Sequence, residues 1–438
     1  MRLKFQFFFL AALSVPLWAQ TDASQASSGN GAMIRPAPVG GAAYSLGFAS
    51  EERSNYLRGG LTFQSAYDDD VYSNGTVPVG SASYSIYPTV GLDVARPRTS
   101  FSLLYSPGFT FYQRASSYNE SDERLGVDFK YRLSPHVSMT VQDNFSQTSN
   151  LLSQQSVDST TVISGSSQLV SQPIVAPIAE VFRNVGSVGI SDQLGPNEMI
   201  GANGSFTNLH YPQQSEVPGL YDSSSKGGSG YYNYRLSRQH YIGVTYQYQD
   251  LLAYPTGLQS QTQTHTVELF YTFYASSRLS FSFFGGPQYA DTEQGQFAAV
   301  KGWSPAAGAS FGWQAGHTSL AGSYSRAITD GGGLVGATHT NAGTASIRQQ
   351  VTRRLDAGVT GSYTENSLVS PIASYTQGGH AVQGSASVHQ EIGGHVGIQL
   401  GYTRVHQSYS GIAAISGVPD RNREWVSISY SFVRPLGR

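Results

Sequence analysis

Three consecutive carboxylates stand out among the groups able to do chemistry. In "AYDDDVYSN", residues 66–74, Asp68, Asp69 and Asp70 are hard oxygen donors of the kind Ca²⁺ takes. A short acidic run between polar residues is equally the composition of a solvated loop, and that is the expectation here. The ten histidines, His136, His210, His240, His265, His317, His339, His380, His389, His395 and His406, are scattered along the chain. No two have the spacing of a helix-borne zinc site. The nearest group, His380, His389 and His395, is split across a hairpin and reads as turn and lumen residues. The one Gly-x-Ser-x-Gly match, 308–312, lies inside an alternating run rather than at a strand-to-helix turn and so is not a nucleophile elbow, and no glycine-rich phosphate loop precedes a helix. Cysteine is absent, which excludes disulfides, thiolate metal sites and cysteine nucleophiles. Neither a metal nor a cofactor is expected, and neither is an enzyme. A Ser–His–Asp triad assembled across strands leaves no spacing signature, so a membrane-embedded hydrolase stands as a third reading.

The elements that carry these residues follow from composition and alternation. Charged residues make up 12% of the 438, about half the roughly 25% usual in soluble globular proteins. Lysine occurs only at Lys4, Lys130, Lys226 and Lys301, and the net charge of −2 gives no basis for a nucleic-acid partner. The first residues, "MRLKFQFFFLAALSVPLWAQ", have a basic start, an apolar core and a small residue at Ala19, the form of a secretory leader. Residues 1–19 are therefore expected to be removed on export, and 20–55, rich in Ser, Gly, Ala and Pro, to be a flexible periplasmic linker.

From residue 56 to 438 one pattern recurs: an alternating run, a short turn, a second run and a longer polar loop. In 265–289, Val267, Leu269, Tyr271, Phe273, Leu279, Phe281 and Phe283 share one face, with the turn at Ala275 to Arg278. Further short turns are expected at 96–99, 134–136, 195–198, 237–240, 314–317, 352–354 and 391–395. Longer connections alternate with them, the longest at 148–180. Short and long connections in alternation define a closed antiparallel transmembrane β-barrel of about 18 strands (16–18), with short periplasmic turns and long extracellular loops. A soluble sandwich also alternates, but its wet face would carry Lys and Glu; here that face is Ser, Gly, Thr and Gln. Unpaired backbone groups are costly in hydrocarbon, so the first strand, about 57–67, must pair with the last, Trp425 to Phe432.

The face opposite the apolar one supplies the lumen-lining candidates Asp128, Lys130, Arg132, Arg183, Arg235, Glu268 and Arg348, with Asp93 beside them. Tyr112 and Phe270 also fall on it, as packing rings or as flat faces for sugars. Asp143 and Asp192 are the misfits: Asp143 shares the lipid-side phase of Val137, Met139, Val141 and Phe145, where a β-bulge that flips the register is the expected remedy, and Asp192, after Val188 and Ile190, lies near a turn within reach of headgroups. The segment 148–180 is too long for a turn, and either folds into the lumen or lies at the surface.

Tyr67 to Tyr72 after the first strand, the leader and the whole-chain layout together resemble the outer-membrane β-barrel porin type 2 family, whose members often accompany exopolysaccharide loci. The resemblance implies an outer-membrane pore and transfers no functional residue. The last strand, "WVSISYSF", ends in an aromatic and so resembles the signal read by barrel-assembly machinery, although "VRPLGR" follows it. The expected partners are thus outer-membrane lipid, that machinery, and small polar solutes or saccharides passing passively through the lumen. A structural barrel serving adhesion or polysaccharide export is the rival. No interface pattern specifies an oligomer.

Overall fold

The computed structural model describes residues 55–71, 78–114, 119–148, 180–216, 218–255, 259–276, 278–295, 299–369, 378–410, 412 and 420–436. The leader, nearly all of the linker and most of the 148–180 loop lie outside these residues. The first half of the sheet comprises β1 (Tyr56–Asp68), β2 (Ser81–Ala95), β3 (Thr99–Tyr112), β4 (Glu120–Arg132), β5 (Val137–Thr148), β6 (Val181–Asp192), β7 (Glu198–His210), β8 (Ser223–Arg235) and β9 (His240–Ala253). The second half comprises β10 (Ser260–Ser276), β11 (Leu279–Gln294), β12 (Val300–Ala315), β13 (Thr318–Thr329), β14 (Thr338–Thr352), β15 (Leu355–Leu368), β16 (Gly378–Ile392), β17 (Val396–Ser410) and β18 (Asp420–Pro435). Each strand pairs antiparallel with its sequence neighbours, and β1 pairs with β18 from Tyr56↔Pro435 to Asp68↔Arg423. The eighteen strands among the described residues therefore close into a barrel, which removes the exposed edges an open sheet would leave.

The turns form where short polar stretches interrupt the alternation. Arg96 and Thr99 exchange backbone hydrogen bonds at 2.7 and 3.3 Å, and the Ser134 hydroxyl accepts from the N–H groups of His136 and Val137. Gly316 supplies the positive φ of 54° that a tight hairpin turn requires. Even the glycine-rich runs form full strands: β7 pairs with β8 from Glu198↔Tyr234 to Leu209↔Ser223, and β14 pairs with β15 along nearly its whole length.

The outer face is apolar because the outward phase of nearly every strand is. Leu61, Phe63, Phe109, Phe111, Leu269, Phe283, Val359, Leu400 and Ile428 are all large, apolar and exposed. On β12 the outward phase runs from Trp303 to Trp313. Ten residues at about 3.3 Å each, tilted by about 40°, span about 25 Å, the height of a barrel's apolar band. Trp303, 72% exposed, sits 5.2 Å from Tyr289 at one border of that band.

Asp143 is a correction to the sequence-based expectation. The register runs without interruption through Val127↔Asp143 on one side and Asp143↔Gly186 on the other, so no bulge turns it inward. Its carboxylate lies instead beside Gly186, whose missing side chain leaves room chiefly for the Phe206 ring. Tyr112, expected on the inner face, is buried at 3% exposure, and Tyr211, just beyond β7, is buried at 2%.

Candidate functional site

Inward side chains are small and hydroxylic because eighteen strands bring them together across one wall. Cross-strand hydroxyl pairs join Ser85 to Thr110 (2.9 Å), Thr262 to Thr292 (3.0 Å), Ser323 to Thr344 (2.8 Å) and Thr360 to Ser385 (2.6 Å). Each satisfies two polar groups without placing a charge in the wall.

The lumen differs between its two ends. Near the short turns, the inward residues Asp128, Lys130 and Arg132 of β4 are exposed, as are Asn144 of β5 and Leu104 of β3. The Gln142 amide donates to Asp128 at 2.8 Å. This end is an exposed, charged vestibule. Toward the long loops the inward residues are buried: Ser260, Thr262, Thr264, Thr266 and Glu268 on β10 have exposures of 4% or less.

What closes that end is a plug of loop tips. The β13–β14 connection, 330–337, turns through Gly331, Gly332 and Gly333, all at positive φ. It carries Leu334 and Val335 to complete burial. Leu334 packs in one apolar cluster with Val181 of β6, Leu209 of β7, Tyr211 and Leu220 of the β7–β8 connection, Tyr409 of β17 and Ile412 beyond it. These residues come from well-separated arcs of the wall, so the cluster lies across the lumen rather than along it. The Tyr221 N–H donates to the Gly333 carbonyl at 2.8 Å, tying two of the loops together. Gly333 leaves space for the Tyr211 ring where a Cβ would strike its hydroxyl. Burial, with Asp222 and Asp330 nearby, pushes the Tyr211 phenol well above its ordinary range, so it serves as a neutral packing group.

The seven lumen candidates do not form one cluster. Asp128, Lys130 and Arg132 share a stripe on β4 in the open vestibule. Arg348 faces Asp356 of β15 at 3.5 Å. Arg235 lies over the Tyr241 ring at 6.0 Å near the short-turn end. Arg183 sits at the plugged end and interacts electrostatically with Asp330 of the plug. Glu268 is 4% exposed in the wall of β10. Asp93 pairs with Arg58 and accepts from Ser102 at 2.8 Å. Tyr112 donates to Glu120 at 3.2 Å. The Phe270 ring lies on Gly243, so neither aromatic offers an open stacking face.

The acidic run is not a solvated loop. Asp68 pairs with Arg423 at 3.1 Å, with side-chain exposures of 1% and 0%. Asp69 accepts from the Asn422 backbone N–H at 2.8 Å, and Asp70 from the Val79 N–H at 3.3 Å. The three carboxylates diverge to three partners and staple the rim where β1, β2 and β18 meet. Among the described residues no group of three His, Asp or Glu has metal-binding geometry. His380 lies 5.7 Å from His406, while His395 is bonded to the Ser431 carbonyl. Arg421 and Arg423, 2% and 0% exposed, are interior charges absent from the sequence-based candidates, as is Asp122 of β4 at 4%. The signal for the two arginines was present, because they share the inward phase of Ser427 and Ser429 on β18.

Fold and interior together define the class: a closed eighteen-stranded barrel with an apolar belt, a charged vestibule and a plugged mouth. No family model matches the chain, and no curated protein matches it. Among solved structures it is similar to the unliganded ferric citrate transporter FecA, at 11% identity over 82% of this chain, with a TM-score of 0.44. The chain spans 60% of the length of FecA. It is also similar to OccK3 (OpdO) of Pseudomonas aeruginosa, at 12% identity over 86% of this chain and 96% of that one, TM-score 0.42. OccAB4 of Acinetobacter baumannii is similar at 9% identity over 88% of this chain and 100% of that one, TM-score 0.44. Likeness of this degree carries nothing about what this chain binds.

Proposed function

We propose that this chain is an outer-membrane barrel that conducts small polar solutes, saccharides among them, with the 330–337 tip as its constriction. On this reading residues 1–19 are cleaved during export, 20–55 form a periplasmic linker, and 56–438 are inserted by barrel-assembly machinery with lipid around the belt. The short turns face the periplasm. One observation supports the pore above all: inward charges at Asp128, Lys130 and Arg132 are wet, although they stand on the inner wall of a closed sheet. The resemblance to the type 2 barrel family favours saccharides as solutes and an exopolysaccharide setting. Purified protein in planar bilayers is expected to conduct ions weakly, and a chain lacking 331–336 to conduct several-fold more. A folded, inserted protein silent in both forms would end this reading.

The complete burial of Leu334 and Val335 favours a second reading, a permanently plugged barrel that serves adhesion or polymer export. The same deletion separates the two. If conductance stays at zero while binding of the surface polymer is lost, the structural role holds.

A further inference from the structure

β12 and β13 part company before either strand ends. β12 is paired with β11 up to Thr292↔Val300, and β13 is paired with β14 up to Thr329↔Thr338. Between β12 and β13, however, the register stops at Ala307↔Arg326. The next three facing pairs would be Ala306 with Ala327, Pro305 with Ile328, and Ser304 with Thr329. None forms. The Ile328 N–H is instead taken by the Gln288 side chain of β11 at 3.0 Å. Ile328 itself is 2% exposed and packs with Leu251, Ala290 and Ala337. Leu251 and Ala290 are inward residues of β9 and β11, so the end of β13, still paired with β14, has separated from β12 and leans inward toward the plug.

The sequence is adapted to this separation. Pro305 stands directly opposite Pro287 of β11. Two residues without N–H groups facing each other form a non-hydrogen-bonded pair, so the nitrogen of Pro305 points toward β13, where no donor is needed. The place is also informative. Ser304 to Ala306 follow directly on Trp303, the border ring of the apolar belt, on the side of Trp313. The unpaired edge therefore falls at the junction of headgroups and acyl chains, where unsatisfied backbone cannot simply face hydrocarbon. Behind it the lining changes from the Ser, Thr and Gln of the neighbouring inner wall to Ala306, Ile328, Leu251 and Ala290. A polar edge backed by packed apolar side chains matches a molecule with a polar head and one hydrocarbon chain.

We infer that the wedge between β12 and β13 is a lateral portal through which a single-chain amphiphile passes between the lumen and the adjoining leaflet. The inference requires the barrel to lie in a membrane but not that it conduct polar solutes. The test uses the full chain in nanodiscs containing a diazirine-bearing twelve-carbon fatty acid, with label mapped by peptide mass. Since the chain has no cysteine, Ser304→Cys with Thr329→Cys can be joined by a short bis-methanethiosulfonate linker. The unlinked double variant should be labelled at Ile328 and Ala306. Linking should reduce that labelling at least tenfold while labelling of Leu400, on the belt far from the wedge, is unchanged. The same protein before linking is its own folding control, and Ala306→Trp, which fills the wedge, should reduce Ile328 labelling in parallel. Absence of label at Ile328 in the unlinked protein, or label undiminished by the linker, overturns the portal. Ion conductance measured on the same samples keeps the two proposals apart: conductance without Ile328 labelling leaves the pore standing and removes the portal.

Discussion

Leu334 should set how often the mouth of the barrel opens. Its side chain is fully buried against Val181, Leu209, Tyr211, Leu220, Tyr409 and Ile412, and it becomes exposed to water when the 330–337 tip swings away. Leu334→Ala removes most of that burial. Large-to-small substitutions at fully buried leucines cost about 2–5 kcal/mol, and a loop tip that can partly collapse belongs near the lower end, about 2–3 kcal/mol. That cost falls on the closed state alone, so the open population should rise about 30- to 150-fold at about 1.4 kcal/mol per decade. Val335→Cys supplies the readout in a chain with no other thiol, because Val335 is also fully buried. A charged methanethiosulfonate reagent added from the long-loop side should modify Cys slowly in the single variant and about 30-fold or more faster when Leu334→Ala is added. Equal rates in the two proteins would refute the closure. So would immediate modification of the single variant, since the tip would then not be shut at all.

Three further outcomes follow from the same geometry. Arg423→Ala leaves the buried Asp68 carboxylate without its partner and should cost about 3–5 kcal/mol in urea-induced unfolding from detergent, with Asp68→Asn in the same chain restoring part of it. Gly401→Ala forces the lumen-facing Trp425 ring off the strand beneath it, so stability should fall by about 1–3 kcal/mol and the tryptophan emission should shift. Asp143→Val places a matching side chain on the apolar belt and should raise the unfolding midpoint, by about 1–2 kcal/mol in stability; an unchanged or lower midpoint would argue that the carboxylate is already satisfied where it lies.

Strands were legible because a barrel wall has only two environments and side chains alternate between them. Val267, Leu269 and Tyr271 point outward as their spacing indicated, and the turns at 96–99 and 134–136 fall where polar residues break the alternation. The same reasoning was sounder than the remedy applied to it at Asp143. Phase alone placed that carboxylate outside, and the bulge invoked to spare it a lipid face is not there. The plug was not legible. "DGGGLVGA" reads as an ordinary glycine-rich connection, and only the Leu334–Val335 pair hints at burial. Its partners lie at Val181, Leu220 and Ile412, far apart in the chain, and alternation says nothing about which loops meet across a lumen. Asp68, Asp69 and Asp70 failed as a unit for a related reason. Each sits at the end of a strand or just beyond it, so successive carboxylates diverge, and their destinations belong to β18 and to Val79.

The pairing of Asp68 with Arg423 joins residues 355 positions apart. Such a clasp cannot form until nearly the entire polypeptide has been delivered, whatever order the intervening hairpins follow. The first hairpin must therefore wait with one flank unmet, and any truncation that removes the final strand takes away the seal rather than a mere eighteenth of the wall. A chain lacking 420–436 should accumulate as an unclosed sheet that aggregates along β1 instead of maturing as a narrower cylinder.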